Sequence, residues 1–489
     1  MSISKTKYVR GIGCERLLWL DENMPEAAEA SDDASVKQGT LVGKLAQDLF
    51  GPHEVVPYSA DKQMMIRTTE EMLDRNVPVI CEASFACEGA FCSVDLLVNH
   101  GNRNVDIVEV KSASNVEPEH VDDAAFQTWV LRKNGFMVGK VCIAHVDTSY
   151  IRKGDLDIQK LFNLADITDK VEEKQGEIKG NLERLLRVQE MTSEPYAAFG
   201  ALCPECAYWK HCSHSLPTPN VFDLPCQSNF TKNDRLKLYQ DGYIEYKELK
   251  ARPELKARQQ MTVMGQLEGR ENLDKEMIRE FLKDVSFPLY FLDFEGFNPA
   301  VPPYEDTWPY RQIPFQYSLH WLESVDGELK HTEFLGEPER SPCRELAEQL
   351  RRDIPKDVCV TVYNKSYEKR ILGELADQFP ELADHLLNIR EHIVDLMVPF
   401  SKLYWYLPAM KGSYSIKYVL PALYPDDPDL DYHNLEDVHK GTEASAAFAE
   451  MADMSPEDRE RVRANLLKYC GLDTYAMVKV WEALVKVAE

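Results

Sequence analysis

Two hydrophobic rhythms alternate along the chain. Four runs, "VPVICEASFAC" (77–87), "FCSVDLLVNH" (91–100), "VDIVEVKSAS" (105–114) and "MVGKVCIAHVD" (137–147), have the β-branched and apolar content of strands. Between the last two, "HVDDAAFQTWVLRKNG" (120–135) carries Ala125, Trp129 and Arg132 at helical spacing and ends on glycine. "VKQGTLVGKLAQDLF" (36–50) has a helical pattern too, and a mixed sheet with flanking helices is expected around these segments. The acidic stretch "DENMPEAAEASDDAS" (21–35) reads as a solvated loop, and residues 160–196 as charged helix. "SLPTPNVFDLPCQSNF" (215–230) is a proline-rich joint, followed by polar helices over 230–284. The strand "FPLYFLDFEGF" (287–297) then opens a second series of strands and helices. The expected organisation is α/β throughout: residues 1–215, a helical linker over 216–285, and a second α/β domain over 286–489.

A length of 489 residues agrees with more than one core. No stretch reaches the ~18 uninterrupted apolar residues of a membrane helix, and "MSISKTKYVRGIGCERLLWL" lacks the apolar core of a secretory signal, so a cytoplasmic protein is expected. Twelve cysteines in a reducing compartment are thiols or metal ligands rather than a disulfide framework. A net charge of -26 repels phosphate polymers on average. Contact with nucleic acid must therefore be local, or bridged by cations held on carboxylates.

The first set of residues suited to such a cation is Asp95, Glu109 and Lys111. Asp95 is expected at the start of one strand, and Glu109 and Lys111, two apart on the next, share a face. Two carboxylates can hold Mg²⁺ or Mn²⁺, and a neighbouring lysine can orient water and offset growing negative charge. The string D-x13-E-V-K resembles the core of PD-(D/E)XK nucleases, and "AFQTWVL" resembles the helical motif in which a glutamine, here Gln127, helps position the site. Related nucleases often place a histidine or acid on the preceding helix. Here "GTLVG" has Gly43 in that place, which makes Glu82 a candidate substitute.

"CPECAYWKHC" (203–212) sets Cys203, Cys206 and Cys212 in a C-x2-C-x5-C pattern that lacks a fourth ligand. By local spacing, His211 or His214 would complete a zinc site. Bracketing the nuclease-like core, however, the three cysteines together with Cys14 resemble the iron-sulfur RecB-like exonucleases of the CRISPR-adaptation and AddB types. That resemblance implies a [4Fe-4S] cluster on Cys14, Cys203, Cys206 and Cys212, tying the ends of a restriction-endonuclease-like domain together.

The second set begins with Asp293 and Glu295 in "YFLDFEGF", two acids on one face of an apolar strand. Such a pair is costly without a cation. Downstream, "YNKSYEKRIL" carries Asn364 and Glu368, and "NLLKYCGLDTYAMVKVWEAL" places Tyr469 and Asp473 one helical turn apart. The set D-x-E, N-x3-E, Y-x3-D resembles the motifs of DEDDy-type RNase H-like 3'-5' exonucleases, and the order of the two halves resembles an uncharacterised bacterial two-nuclease family. The resemblance implies that Asp293, Glu295, Glu368 and Asp473 hold divalent cations and that Tyr469 orients water. Glu368 stands where most of that group has aspartate, and Asp395 is a rival for that position or a neighbour of it.

Tyr404, Trp405 and Tyr406 are candidates for stacking on bases, although an aromatic cluster is more often core. Lys411, Lys417 and the basic 245–258 stretch are candidate phosphate contacts. The expected activity is metal-dependent hydrolysis of single-stranded or end-exposed DNA, with RNA as a further substrate. A nucleic-acid-binding or scaffold subunit with degenerate sites is the alternative.

Overall fold

The apolar runs of the first half become a continuous antiparallel meander, β3 (Val79–Cys87), β4 (Ala90–Gly101) and β5 (Asn104–Lys111). In the computed structural model, which describes residues 2–29, 33–430, 438 and 440–489, two short strands precede them, β1 (Ile3–Ser4) and β2 (Glu54–Val55). The helix Pro118–Lys133 then crosses over to β6 (Met137–Val146), parallel to β5, and β7 (Phe162–Asp166) closes the edge. The sheet runs β2-β3-β4-β5-β6-β7. β5 flanks β4 only from Leu96 onward, and β1 pairs in parallel with β4 at Ala90 and Phe91.

Both faces of this sheet are covered, which explains why its strands read as apolar runs rather than as alternation. On one face Ile80, Val94, Ile107 and Ile143 pack with Phe126 and Val130 of the crossover helix and with Leu182 and Leu185 of the helix Thr168–Gln189. On the other, Cys81, Leu96, Val108 and Ala144 pack with Val42 and Leu49.

The chain forms two compact units, residues 1–214 with 299–311, and residues 215–298 with 312–489. The stretch read as a linker thus lies inside the second unit: the buried Arg258 guanidinium donates to the carbonyls of Phe400, Ser401 and Gly412. Residues 299–311 belong to the first unit, where Arg152 donates to the carbonyls of Pro302 and Pro303. The acidic 21–35 stretch is only partly a loop. The helix Glu15–Asn23 reaches into it, Pro25 starts a short turn, and another helix begins at Asp33. Residues 30–32 lie outside the described residues.

In the second unit a two-stranded ribbon pairs β8 (Asn272–Leu273) with β14 (Trp405–Tyr406). The main sheet is built on β9 (Leu289–Phe297), with β10 (Ile313–Leu322) and β11 (Lys330–Leu335) antiparallel on one side. β12 (Cys359–Val362) and β13 (Ile393–Asp395) lie parallel on the other, in the order β11-β10-β9-β12-β13. The long helix Pro456–Ala488 packs across β9 and β10. Phe315 and Phe448 stack at 4.1 Å between centroids, and Phe448 is fully buried. Phe448→Ala should cost about 3–5 kcal/mol and speed amide exchange in β9 and β10 but not in β4 and β5; unchanged exchange in β9 would refute this packing.

Candidate functional site

Asp95, Glu109, Lys111 and Gln127 meet in the first unit. Asp95 sits in the middle of β4 rather than at its start, because the strand already begins at Ala90. The Leu96↔Val108 register sets it beside Glu109, and its Oδ2 accepts from the Val110 N–H at 2.8 Å, in place of a strand partner. Glu109 is 1% exposed. Lys111 Nζ donates to Glu109 Oε1 at 2.8 Å and to Asp123 Oδ2 at 2.7 Å. Gln127 Nε2 donates to Glu109 Oε2 at 2.7 Å and to Asp123 Oδ1 at 3.0 Å.

Two members of this cluster are absent from the sequence reading. Asp123, one helical turn before Gln127, was detectable from the i, i+4 spacing. Lys5 had no local signal, being separated from Glu109 by 104 positions; its Nζ lies 2.9 Å from both Asp95 Oδ1 and Glu109 Oε1. Burial pushes the Glu109 carboxyl up, but Lys5 and Lys111 outweigh it and hold it well below the usual carboxylate range. Burial and the Glu109 charge push Asp95 and Asp123 up to about 6. Glu82 stands nearby, its carboxyl raised by burial and by Glu109 against the opposing pull of Lys5. Its left-handed backbone, φ 58°, falls between the paired residues Cys81 and Ala83, a strained conformation for a strand interior. Gly43 lies on the helix Asp33–Ala46, and an added Cβ there would meet no atom within 4 Å.

The second unit gathers Asp293, Glu295 and Asp473, with one oxygen from each lying within 4.8 Å of the others. β12 pairs with β9 only as far as Phe291, so the two strand acids lie past the end of that pairing. Ligand sites in open α/β sheets form at such strand ends. The chain turns there into the helix Ser366–Gln378, which brings in Glu368. Glu368 Oε2 is a buried acceptor with no hydrogen-bond partner. Asp473 and Tyr469 share a face of the long helix. The rotation of that helix is fixed by Thr474, whose hydroxyl meets Ser318 Oγ at 2.7 Å and His320 Nδ1 at 2.8 Å.

Burial and mutual repulsion dominate the electrostatics of this group, and Lys417 opposes them at Glu295. Burial first, then the Asp473 and Glu295 carboxylates, push Asp293 well above the carboxylate range. Burial and Asp473 push Glu295 up to about 8 against the pull of Lys417, and burial raises Glu368 to about 8. Burial and Asp473 likewise raise the Tyr469 phenol, which stays protonated and able to donate. Crowded acids of this kind, with an orphaned carboxylate oxygen, suit a divalent cation.

Cys14 joins Cys203, Cys206 and Cys212 around one small cavity of about 40 Å³, lined also by Leu17, Phe199 and Trp209. Cys14 sits between the helices Lys5–Gly13 and Glu15–Asn23, and the Gly200 N–H donates to Cys203 Sγ at 3.1 Å. The histidines that could replace a cysteine are engaged elsewhere. His211 Nε2 bonds Glu194 at 2.9 Å, and His214 Nδ1 meets the His211 carbonyl at 2.7 Å.

Other candidates take structural roles. Asp395 accepts from the N–H groups of Asn364, Lys365 and Met397, which builds the turn, and it neighbours Glu368, whose carboxyl its charge helps push up. Tyr406 is buried and Trp405 stacks on Phe400, so this aromatic group is largely core, while Tyr404 borders a separate cavity. In the 245–258 stretch Lys247 pairs with Glu245, Lys250 with Glu268 and Arg252 with Glu254, while Arg258 is buried against backbone carbonyls. Lys411 lines a cavity of about 1020 Å³ with Tyr246, Tyr363, Asn364, Tyr414 and Tyr418.

The raised carboxyls set a pH dependence. Between the ordinary glutamate value of 4.5 and about 8, the folded chain binds protons at Glu295 and Glu368 that the unfolded chain has released. Stability in a chelator should therefore fall as pH rises through that window. Mn²⁺ should oppose the fall, and Glu295→Gln should flatten it. Thermal unfolding at pH 5.5 and 8.5, with EDTA or Mn²⁺, measures both; a rise in stability across the window would contradict the assignment.

Comparison with known proteins adds two matches. Residues 290–415, from β9 to the turn after the Lys411 loop, match a family described as a domain of unknown function, DUF2779. An uncharacterized protein, UU173, of Ureaplasma parvum serovar 3 is 29% identical over 169 residues, 32% of this chain. The match spans only 24% of that relative's length. Among the described residues no helix is long and apolar enough to cross a membrane.

Proposed function

We propose that this chain is a divalent-metal-dependent nuclease that hydrolyses phosphodiester bonds of single-stranded or end-exposed DNA, and of RNA where the same cleft admits it. The observation that carries the reading is the group Asp293, Glu295 and Asp473, one oxygen of each within 4.8 Å of the others, with Glu295 buried and the carboxyls of Asp293 and Glu295 raised by burial and by their neighbours. Mg²⁺ or Mn²⁺ bound there, with Glu368 as a further ligand, would supply charge neutralisation for a scissile phosphate and its leaving oxygen. Tyr469 holds its proton beside these acids and can orient an attacking water by donating or accepting a hydrogen bond.

The antiparallel β9-β10-β11 strands followed by parallel β12 and β13, with the acids on the central strand, support an RNase H-like, DEDDy-type reading of the second unit. The tyrosine-lined cavity next to Asn364 suits unstacked bases, since every base has a face on which a ring can stack. In the first unit, the β3-β4-β5 meander, crossover helix and parallel β6 support a PD-(D/E)XK-like reading with Asp95, Glu109, Lys111 and Gln127 as its site.

The four cysteines around one cavity support a [4Fe-4S] cluster in the same unit.

A second reading, a nucleic-acid-binding or scaffold subunit with a degenerate site, is favoured for the first unit by the lysine already seated between Asp95 and Glu109. Cleavage of 5'-labelled single strands separates the readings. Wild type should shorten them with Mg²⁺ or Mn²⁺, and Asp293→Asn should lower the rate by about 10²-fold or more. Intact strands with both metals would overturn the nuclease assignment. The cluster has its own test: anaerobically purified protein should absorb near ~400 nm and lose that band in Cys14→Ser, whereas a colourless, zinc-loaded protein would refute it.

A further inference from the structure

The Glu109 carboxylate is already saturated. Glu109 Oε1 accepts from Lys5 and Lys111 at 2.9 and 2.8 Å, and Oε2 accepts from Lys5 and Gln127 at 3.2 and 2.7 Å. A carboxylate offers about four lone-pair positions, so none is left over. Asp95 accepts one hydrogen bond at each oxygen, Oδ1 from Lys5 and Oδ2 from the Val110 N–H. A Mg²⁺ ion needs oxygens at about 2.0–2.1 Å in near-octahedral array, and the Lys5 ammonium stands between the two carboxylates that would provide them. As they stand, these residues do not fit a bound divalent cation.

Lys5 is not a wandering surface side chain. Ile3 is fully buried, and its N–H donates to the Gly89 carbonyl at 2.8 Å as β1 pairs with β4. Ser4 caps the helix Lys5–Gly13, accepting from the Lys7 N–H at 3.3 Å. One turn on, Tyr8 stacks on Phe126 at 4.6 Å, and Gly11 abuts Leu185 so closely that an added Cβ would lie 2.8 Å from its Cδ2. A strand, a cap and a packed helix face thus anchor the backbone that holds Lys5.

We infer that Lys5 is the resident cation of the Asp95–Glu109 pair and an intramolecular competitor of divalent metal, so that the first unit takes up Mg²⁺ or Mn²⁺ only when the Lys5 ammonium withdraws. The inference rests on the reading of Asp95 and Glu109 as metal ligands. With Lys5 in place, Asp95, Glu109 and Asp123 face two ammonium groups, Lys5 and Lys111. Without it they face one, and the excess negative charge becomes a demand for a cation.

The test uses the full chain in an Asp293→Asn background, which weakens the second unit's site, with Mn²⁺ followed by electron paramagnetic resonance. Lys5→Met should tighten Mn²⁺ binding by about tenfold or more, and Lys5→Arg, which keeps the charge, should not. Adding Asp95→Asn to Lys5→Met should remove the gain. The thermal shift produced by Mn²⁺ should grow in parallel, since a ligand of the folded state stabilises it by mass action. Circular dichroism checks that each variant is folded. If the background protein binds Mn²⁺ as tightly as the Lys5→Met variant, in a manner abolished by Asp95→Asn, the competitor role is refuted and the metal-ligand reading stands. If Lys5→Met, folded, gains no Mn²⁺ site at millimolar metal, both are refuted.

Discussion

Buried negative charge is the constraint around which both units are organised. Each unit brings several carboxylates to the interior side of a sheet, where desolvation and mutual repulsion favour neutral acids over ions. The first unit answers with ammonium groups, Lys5 and Lys111, and with the Gln127 amide. The second answers with protons, held on Asp293, Glu295 and Glu368 far above their ordinary range. The same chemical need is met in two ways, and the difference decides which site is open to a cation. Strand pairing sets the positions in both cases: β5 flanks β4 only from Leu96 onward, and β12 stops flanking β9 after Phe291.

What could be read in advance was what repeats locally. The E-x-K alternation on β5, the D-x-E alternation on β9 and the one-turn spacing of Tyr469 and Asp473 each fix a shared face without knowledge of the fold. The apolar runs also marked the strands well, because sheets covered on both faces need continuous hydrophobicity. Asp95 alone was misplaced along its strand, since nothing in "FCSVDLLVNH" reveals that pairing begins at Ala90.

What could not be read depended on distant pairing. Lys5 reaches Glu109 only because β1 joins the sheet beside β4, and a two-residue strand has no periodicity to detect. Asp395 looked like another ligand, yet three backbone N–H groups claim its oxygens. The basic stretch after 245 looked like a phosphate track, but a count of cations ignores the acids among which they fold. In each instance the residue type was informative and its partner was not.

The passage of residues 299–311 through the first unit has a bearing on how the chain is made. Ala300 is buried there, Val301 and Tyr310 pack against the same core, and Ala300 N–H donates to Gln38 Oε1 at 3.2 Å. A chain emerging from the ribosome up to His214 has therefore not yet delivered all of its first core. Completion waits for residues made after β9, the strand that carries Asp293 and Glu295. The maturation of the two units is interleaved in time, and a cut at residue 214 or 298 would separate part of that core from the rest.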